Sequence, residues 1–357
     1  MKLKRGLINI ILSNHTLRQR LNYLKYIFSD RSEVVRYDPV TISIVATTRC
    51  TLSCDMCPTH SQIASGDYKH AQKNIKDMDL AMFKEMIDRF DKAITVHIIG
   101  SGEPLLNKDF FEMVEYAAKK RMVVKTFSNG TTIERNIDRL LASKLDGITI
   151  SLNGQNAGEF KRMTGMPQEM YKKIYDATRR LIEKRNRAGS KLKVKLSFII
   201  DRHNYRSIPE MIDVGLKLGA DHIFLCNFLH SPYDGFRAHE RVLMAEEKAL
   251  RELKAIIGKY PPAISKKVTW PVPVDPDQRG NRCAAHFSQV RFDGDGNVSS
   301  CSMMLLNMTG HGHYKEKNVW NNEYFRKMRK AFLSAGDEAI EDPCKACPDN
   351  KGVTIGK

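Results

Sequence analysis

No apolar run in this 357-residue chain is long enough to span a bilayer. There is no internal repeat, no low-complexity tract and no collagen-like excess of glycine or proline, which excludes fibrous and repeat classes. Negative charge is scarce: 41 Asp and Glu face 58 Lys and Arg, a formal charge of +17. That balance fits an anionic partner such as a phosphorylated or nucleotide-linked substrate, a lipid head group or nucleic acid. It fits a solvated, Lys-rich surface equally well, because the charge is spread along the chain. A cleavage site is also missing. Basic residues and an apolar stretch open the chain, but Asn9 interrupts the stretch, no small-x-small site follows, and Arg18 and Arg20 restore the charge. Export is therefore not expected. The segment reads as a basic amphipathic helix that packs on the protein or touches a membrane surface. In a cytoplasmic chain of this kind, eight cysteines argue for reduced thiols and metal binding, not disulfides.

From residue 41 to about 230, short β-branched runs alternate with helical patterns. The runs cover 41–46, 94–99, 123–127, 147–152, 192–200 and 222–228. Between the first two, Phe83, Met86, Ile87 and Phe90 recur at helical spacing. Alternation of this kind predicts parallel pairing with helical crossovers, and six units fit a partial TIM-like barrel better than a closed eightfold one. The expected organisation is a basic helical segment over 1–38, the α/β partial barrel over 39–245, a helix and proline-rich connector over 246–282, and a small α+β segment over 283–357. The last contains a hairpin signal at 290–298, around an Asp/Gly turn, and a helix near 323–333.

The chemistry is carried by cysteine spacing. Cys50, Cys54 and Cys57 form C-x3-C-x2-C directly after the first strand. Three thiolates on one loop can ligate three irons of a cubane and leave the fourth open to bind and activate a small molecule. Four more, Cys283, Cys301, Cys344 and Cys347, make a complete ligand set, and on spacing alone zinc and iron–sulfur remain alternatives. Ligands of parallel α/β folds bind at the carboxyl ends of strands. Polar groups gather there: Gly100-Ser101-Gly102-Glu103-Pro104 after strand two, Ser128-Asn129-Gly130 after strand three, and Ser151 and Asn153 at the end of strand four. The last two sit at alternate positions, so they are expected to share one face; strand-end capping is the other reading of both. Cys226, near the end of strand six, is either a small buried core residue or a hydrogen-atom donor facing the cavity. His97, His311 and His313 are expected to be structural, while His230, Tyr233 and Asp234 could line a substrate mouth.

Taken in order, these elements resemble the radical S-adenosylmethionine (SAM) superfamily. Its Gly-Gly-Glu-Pro motif is matched by Gly100–Pro104, with Ser101 in place of one glycine, and Met56 stands where an aromatic residue is usual. The C-terminal segment is similar to the SPASM/twitch extension, through Cys283, the 294–298 turn leading to Cys301, Val319-Trp320 with Phe325-Arg326, and Cys344-Lys345-Ala346-Cys347-Pro348. The resemblance implies that Cys50, Cys54 and Cys57 hold a [4Fe–4S] cluster that chelates SAM, with the Gly100–Pro104 backbone and Glu103 near the SAM amino group. Ser151 and Asn153 would then meet the ribose. It favours an auxiliary [4Fe–4S] cluster on the C-terminal four cysteines, and it implies a reductase such as flavodoxin or ferredoxin. Reductive cleavage of SAM would give a 5′-deoxyadenosyl radical that abstracts a substrate hydrogen.

Two outcomes are open at this point. One is epimerisation or dehydrogenation of a sugar-like or other small polar metabolite, possibly linked to a phosphate or lipid carrier. The other is modification of a peptide. The 38 residues before the barrel look short for a peptide-recognition domain, so the first is the expectation. A non-enzymatic electron carrier or RNA-binding protein is the third reading, and the under-ligated cysteine loop argues against it. No specific nucleic acid and no cobalamin are expected.

Overall fold

The computed structural model describes residues 14–57, 59–62, 76–229, 238–278, 283–302, 311–334, 340 and 344–355. In chain order the strands are β1 (Thr41–Thr47), β2 (Thr95–Gly100), β3 (Val123–Ser128), β4 (Gly147–Ser151), β5 (Lys193–Ile200), β6 (His222–Asn227), β7 (Val268–Thr269), β8 (Gln289–Phe292) and β9 (Val298–Ser299). They form one sheet in the order β7-β6-β5-β4-β3-β2-β1-β8-β9. Every pair is parallel except β8 with β9. The principal helices are α1 (Leu17–Phe28), α2 (Leu80–Arg89), α3 (Phe110–Lys119), α4 (Ile133–Ala142), α5 (Ala157–Thr164), α6 (Gln168–Arg187), α7 (Ile208–Leu218), α8 (Glu247–Gly258) and α9 (Glu323–Leu333). The six expected strands are β1 to β6, each beside its sequence neighbour. Crossovers of one hand put their helices on one side of such a sheet, the arrangement of a partial (β/α)6 barrel.

Side-chain alternation separates the two faces. In β2, Val96 and Ile98 are buried while Thr95, His97 and Ile99 are only partly covered. In β6, Ile223 and Leu225 are buried and His222, Phe224 and Cys226 are not. The first set joins the core with helical residues such as Phe83, Met86 and Ile87 of α2; truncating one such core side chain to alanine costs about 2–5 kcal/mol. The second set lines the concave face. Helix starts follow local chemistry: Asp79 caps α2 by accepting the N–H groups of Ala81 and Met82, a contact that stabilises by about 1 kcal/mol.

Helix α1 packs on the protein, whereas the basic and apolar opening over residues 1–13 lies outside the described residues. Thr16 and Gln19 form a capping box at the start of α1. The Gln19 amide also donates to the carbonyls of Ala93 and Lys120, fastening α1 beneath β2 and β3. At the other end of the chain, β8 and β9 form the hairpin, with the Asp293 carboxylate accepting the N–H groups of Asp295 and Asn297 in the turn. Strand β8 also pairs with β1 over Thr41–Ile44, so the C-terminal segment extends the barrel's own sheet. Proline-rich residues beyond α8 supply β7, which pairs with β6.

Candidate active site at the carboxyl ends of the strands

The cysteine loop leaves β1 through a register shift between Val45 and Thr47. It is held from below by Asp77, whose carboxylate accepts from Thr47 Oγ1 at 2.6 Å and from Arg49 Nε at 3.0 Å. Arg49 also donates to the Leu106 carbonyl, which ties the loop to the turn after β2. The second tie is backbone to backbone: Glu103 N–H donates to the Arg49 carbonyl at 2.7 Å. This contact requires glycine at 102, where a Cβ would lie 1.9 Å from that same oxygen. Ser101 contributes its carbonyl, which accepts from Thr59 Oγ1 at 2.8 Å; Thr59 Oγ1 lies 3.2 Å from Cys57 Sγ.

Glu103 itself faces inward. It is fully buried, and its carboxylate accepts from Ser128 Oγ at 2.9 Å, Asn129 N–H at 2.7 Å and Leu105 N–H at 3.3 Å. Burial pushes its pKa up, and these hydrogen bonds oppose that rise. Glu103 therefore anchors the loop after β3, and that loop reaches the cysteines. Asn129 Nδ2 donates to Thr51 Oγ1 at 3.1 Å and points at Cys50 Sγ at 3.5 Å. Glu103→Ala is expected to leave four donors, those of Leu105, Ser128, Asn129 and Thr132, without their acceptor, at about 1–3 kcal/mol for each that is buried. The urea midpoint should fall, whereas Glu103→Gln retains one acceptor oxygen and should lose less.

The pairing of Ser151 with Asn153 on one strand face is corrected. Strand β4 ends at Ser151, and Asn153 has φ 53°, a left-handed conformation that breaks the pleat. Ser151 Oγ accepts from Ser197 Oγ on β5 at 3.3 Å, whereas Asn153 Oδ1 is buried with no partner in the protein. A fourth support comes from the end of α5. Asp55 N–H donates to the Thr164 carbonyl, and Gly165 has φ 72° with the Asp55 carboxylate where its Cβ would lie. Gly165→Ala is expected to cost about 1–2 kcal/mol in backbone strain alone and to displace Asp55. Thermal unfolding and iron content should both fall.

The comparisons with known proteins agree with this geometry. The Radical SAM superfamily model matches residues 44–214. Those residues form a radical SAM domain. Mycofactocin maturase MftC of Mycolicibacterium smegmatis is 27% identical over 179 residues, covering 50% of this chain and 43% of that protein. The chain thus spans less than half the length of that relative. The PqqA peptide cyclase of Gluconobacter oxydans is 22% identical over 320 residues, covering 87% of this chain and 82% of that protein. Among solved structures, Streptococcus suis SuiB bound to precursor peptide SuiA superposes with a TM-score of 0.61 at 13% identity, over 93% of this chain and 73% of that one. At that identity the likeness speaks for the fold.

A radical SAM domain brings a SAM-binding [4Fe–4S] cluster, and the residues present fit it. Cys50, Cys54 and Cys57 are part-exposed and in no disulfide. Burial, with Cys57 and Cys50 adding repulsion, pushes the Cys54 thiol up to about 12, a set of thiols that cationic iron would relieve. The orphaned Asn153 Oδ1 is an acceptor awaiting a donor of the ribose-hydroxyl kind. At the second set, burial and the nearby Asp349 push Cys347 up to about 12, with Cys283 and Cys301 adding to the rise. Among the described residues no three His, Cys, Asp or Glu side chains converge on a single-ion site. Buried Arg329 braces this segment by donating to the carbonyls of His286 and Trp320.

For Cys226 the buried-core expectation is overturned: it is exposed on the concave face, beside Ile199 of β5. Surrounding protein and the nearby Asp349 push its thiol up to about 11. His311 stacks on Tyr324 and His313 lies 3.0 Å from the Asp295 carbonyl, both structural contacts. His230, Tyr233 and Asp234 lie outside the described residues. The sequence reading missed Arg49, Asp77, Thr59 and His60. Of these, only Thr59 and His60 carried a signal, their closeness to Cys57. Burial lowers the His60 pKa, while the carbonyls of Ser101 and Thr48 hold it up. Among the described residues no helix is long and apolar enough to cross a membrane.

Proposed function

We propose that this radical SAM protein modifies a peptide. The observation that carries the reading is the alignment with PqqA peptide cyclases, which runs through barrel and C-terminal segment alike. It covers 87% of this chain for the Gluconobacter oxydans protein and 89% for that of Granulibacter bethesdensis. The expectation of a sugar-like or small polar substrate leaned on the shortness of the N-terminal segment, and relatives of nearly matching extent that are named for a peptide remove that support.

Cys50, Cys54 and Cys57 would hold the cluster, the Gly100–Pro104 backbone the SAM amino group, and Ser151 and Asn153 the ribose. Cys283, Cys301, Cys344 and Cys347 would hold an auxiliary [4Fe–4S] cluster in a SPASM/twitch-type segment. When bound, cluster and SAM supply a 5′-deoxyadenosyl radical that takes a hydrogen atom from the substrate. An external reductase such as flavodoxin or ferredoxin provides the electron. The test is co-expression with the short reading frames beside its gene, read by mass spectrometry. A peptide altered by the wild type and untouched by Cys50→Ala is expected. An unaltered peptide, with 5′-deoxyadenosine made only when a phosphorylated sugar is supplied, contradicts the reading.

The exposed, concave Cys226 favours epimerisation as the outcome. A thiol raised to about 11 keeps its S–H bond at neutral pH. The S–H hydrogen atom passes to the substrate carbon radical and leaves a thiyl radical. One electron from the external reductase and one solvent proton restore the thiol. Turnover in D2O is expected to place one deuterium in the peptide, and Cys226→Ala to abolish it. Deuterium-free product from the wild type sinks this role.

A further inference from the structure

The concave face carries a row of basic side chains that make no ion pair among the described residues. By strand register, Arg291 of β8 is beside Ser43 of β1, Ser43 beside His97 of β2, and His97 beside Lys125 of β3. All four are on the face opposite the helix-packed core, as the alternation with Val290, Ile42, Ile44, Val96, Ile98, Val124 and Thr126 requires. Lys195 of β5 points into the same space, with its ammonium 5.6 Å from the Phe224 ring centre. His97 registers the charges of Lys125, Arg291 and Lys195 together, so the four lie within electrostatic reach of one another.

Three observations separate this row from a merely solvated basic face. Arg291, Lys125 and Lys195 make no ion pair among the described residues, and His97, lowered to about 4 by burial and by these charges, stands beside them as a neutral imidazole. The concave positions of β1 to β6 and β8, read by alternation, hold no Asp or Glu. The nearest acid to Lys125 is Asp146, whose carboxylate is engaged by the Val124 N–H at 2.7 Å. Finally, Arg291 Nε and Ser43 Oγ are both buried without a hydrogen-bond partner. Two orphaned buried donors beside uncompensated cations are costly unless an acceptor enters. The charge near Arg291 from the other side is the Cys301 thiol. Beyond Lys125 the row meets Gly147, which leaves space where a side chain would stand.

We propose that Arg291, Ser43, His97, Lys125 and Lys195 form an oxyanion subsite in the barrel floor that takes a carboxylate of the substrate peptide. This rests on the peptide reading above and specifies its substrate as acidic. The row lies four residues below Ser151 in β4 register, about 13 Å at 3.3 Å per residue. An acidic side chain or chain terminus reaches it from the carboxyl mouth with about four residues of extended peptide, while the reacting carbon stays at the level of the cysteine loop. The arginine fork suits a carboxylate, the lysine ammonium groups add positive charge, and Ser43 supplies a neutral donor.

The test is calorimetric titration of the anaerobically reconstituted protein with N-acetyl-glutamate, N-acetyl-glutamine and inorganic phosphate. Wild type should bind N-acetyl-glutamate and not the amide. Arg291→Gln and Lys125→Gln should each weaken that binding at least about tenfold, as loss of a charge-assisted contact does. Exposed Lys191→Gln should leave it unchanged. Cluster absorbance and SAM cleavage without substrate report separately on the radical chemistry. Should Arg291→Gln strip the C-terminal iron, Lys125→Gln decides alone. Binding indifferent to Lys125 overturns the subsite while leaving the peptide reading intact. Phosphate bound in place of N-acetyl-glutamate overturns the carboxylate assignment and returns the substrate to a phosphate ester.

Discussion

Replacing Cys50, Cys54 and Cys57 with alanine is expected to abolish 5′-deoxyadenosine formation and to remove about half the iron, from about eight to about four per chain. The loop is under-ligated by construction: it supplies three thiols, and Asn129 is placed against the first of them. The C-terminal four thiols stand elsewhere, ahead of β8, just after β9 and in the segment 344–347, and do not depend on this loop. Iron should therefore survive there, and chemistry should not. Undiminished SAM cleavage would refute the assignment. Zinc in place of the remaining four irons would overturn the auxiliary cluster alone.

Gly102→Ala should be nearly as damaging, although residue 102 touches no cysteine side chain. Its Cβ would stand 1.9 Å from the Arg49 carbonyl oxygen and 2.9 Å from that of Thr48. Both obstacles are backbone, so no side chain can swing aside. The Arg49 carbonyl also accepts the Glu103 N–H at 2.7 Å. Relief of the clash has to shift the residue next to Cys50 by an ångström or more, and a misplacement of that size costs about a hundredfold in rate. SAM cleavage by Gly102→Ala is expected to fall by at least that factor. Ser101→Gly should be near neutral, because the turn uses the Ser101 carbonyl, held by Thr59. Wild-type rates for Gly102→Ala would mean that the turn and the cysteine loop are not locked.

The parts legible in the sequence were contiguous. Cys50, Cys54, Cys57 and Gly100–Pro104 lie within short stretches, and β1 to β6 announce themselves as β-branched runs between amphipathic helices. What escaped was set by distance along the chain. Asp77 holds Arg49 from 28 residues away, Glu103 holds Ser128 and Asn129 from the next crossover, and β8 joins β1 from the far end of the chain. Asn153 misled because strand alternation was carried two residues past a left-handed turn. The shortness of residues 1–38 pointed to a small substrate, and the relatives named for a peptide weigh against that inference. Length says nothing of a peptide path inside the barrel, and α1 turned out to be fastened beneath β2 and β3.

The central claim is that a radical generated at the Cys50–Cys57 loop takes hydrogen from a peptide. The direct measurement uses the reconstituted enzyme, SAM, a reductant and a fully deuterated peptide encoded beside its gene, with mass spectrometry of the nucleoside formed. Deuterium carried from the peptide into 5′-deoxyadenosine is the predicted result. Deuterium-free 5′-deoxyadenosine with the peptide unchanged, alongside transfer from a deuterated sugar phosphate, would contradict it.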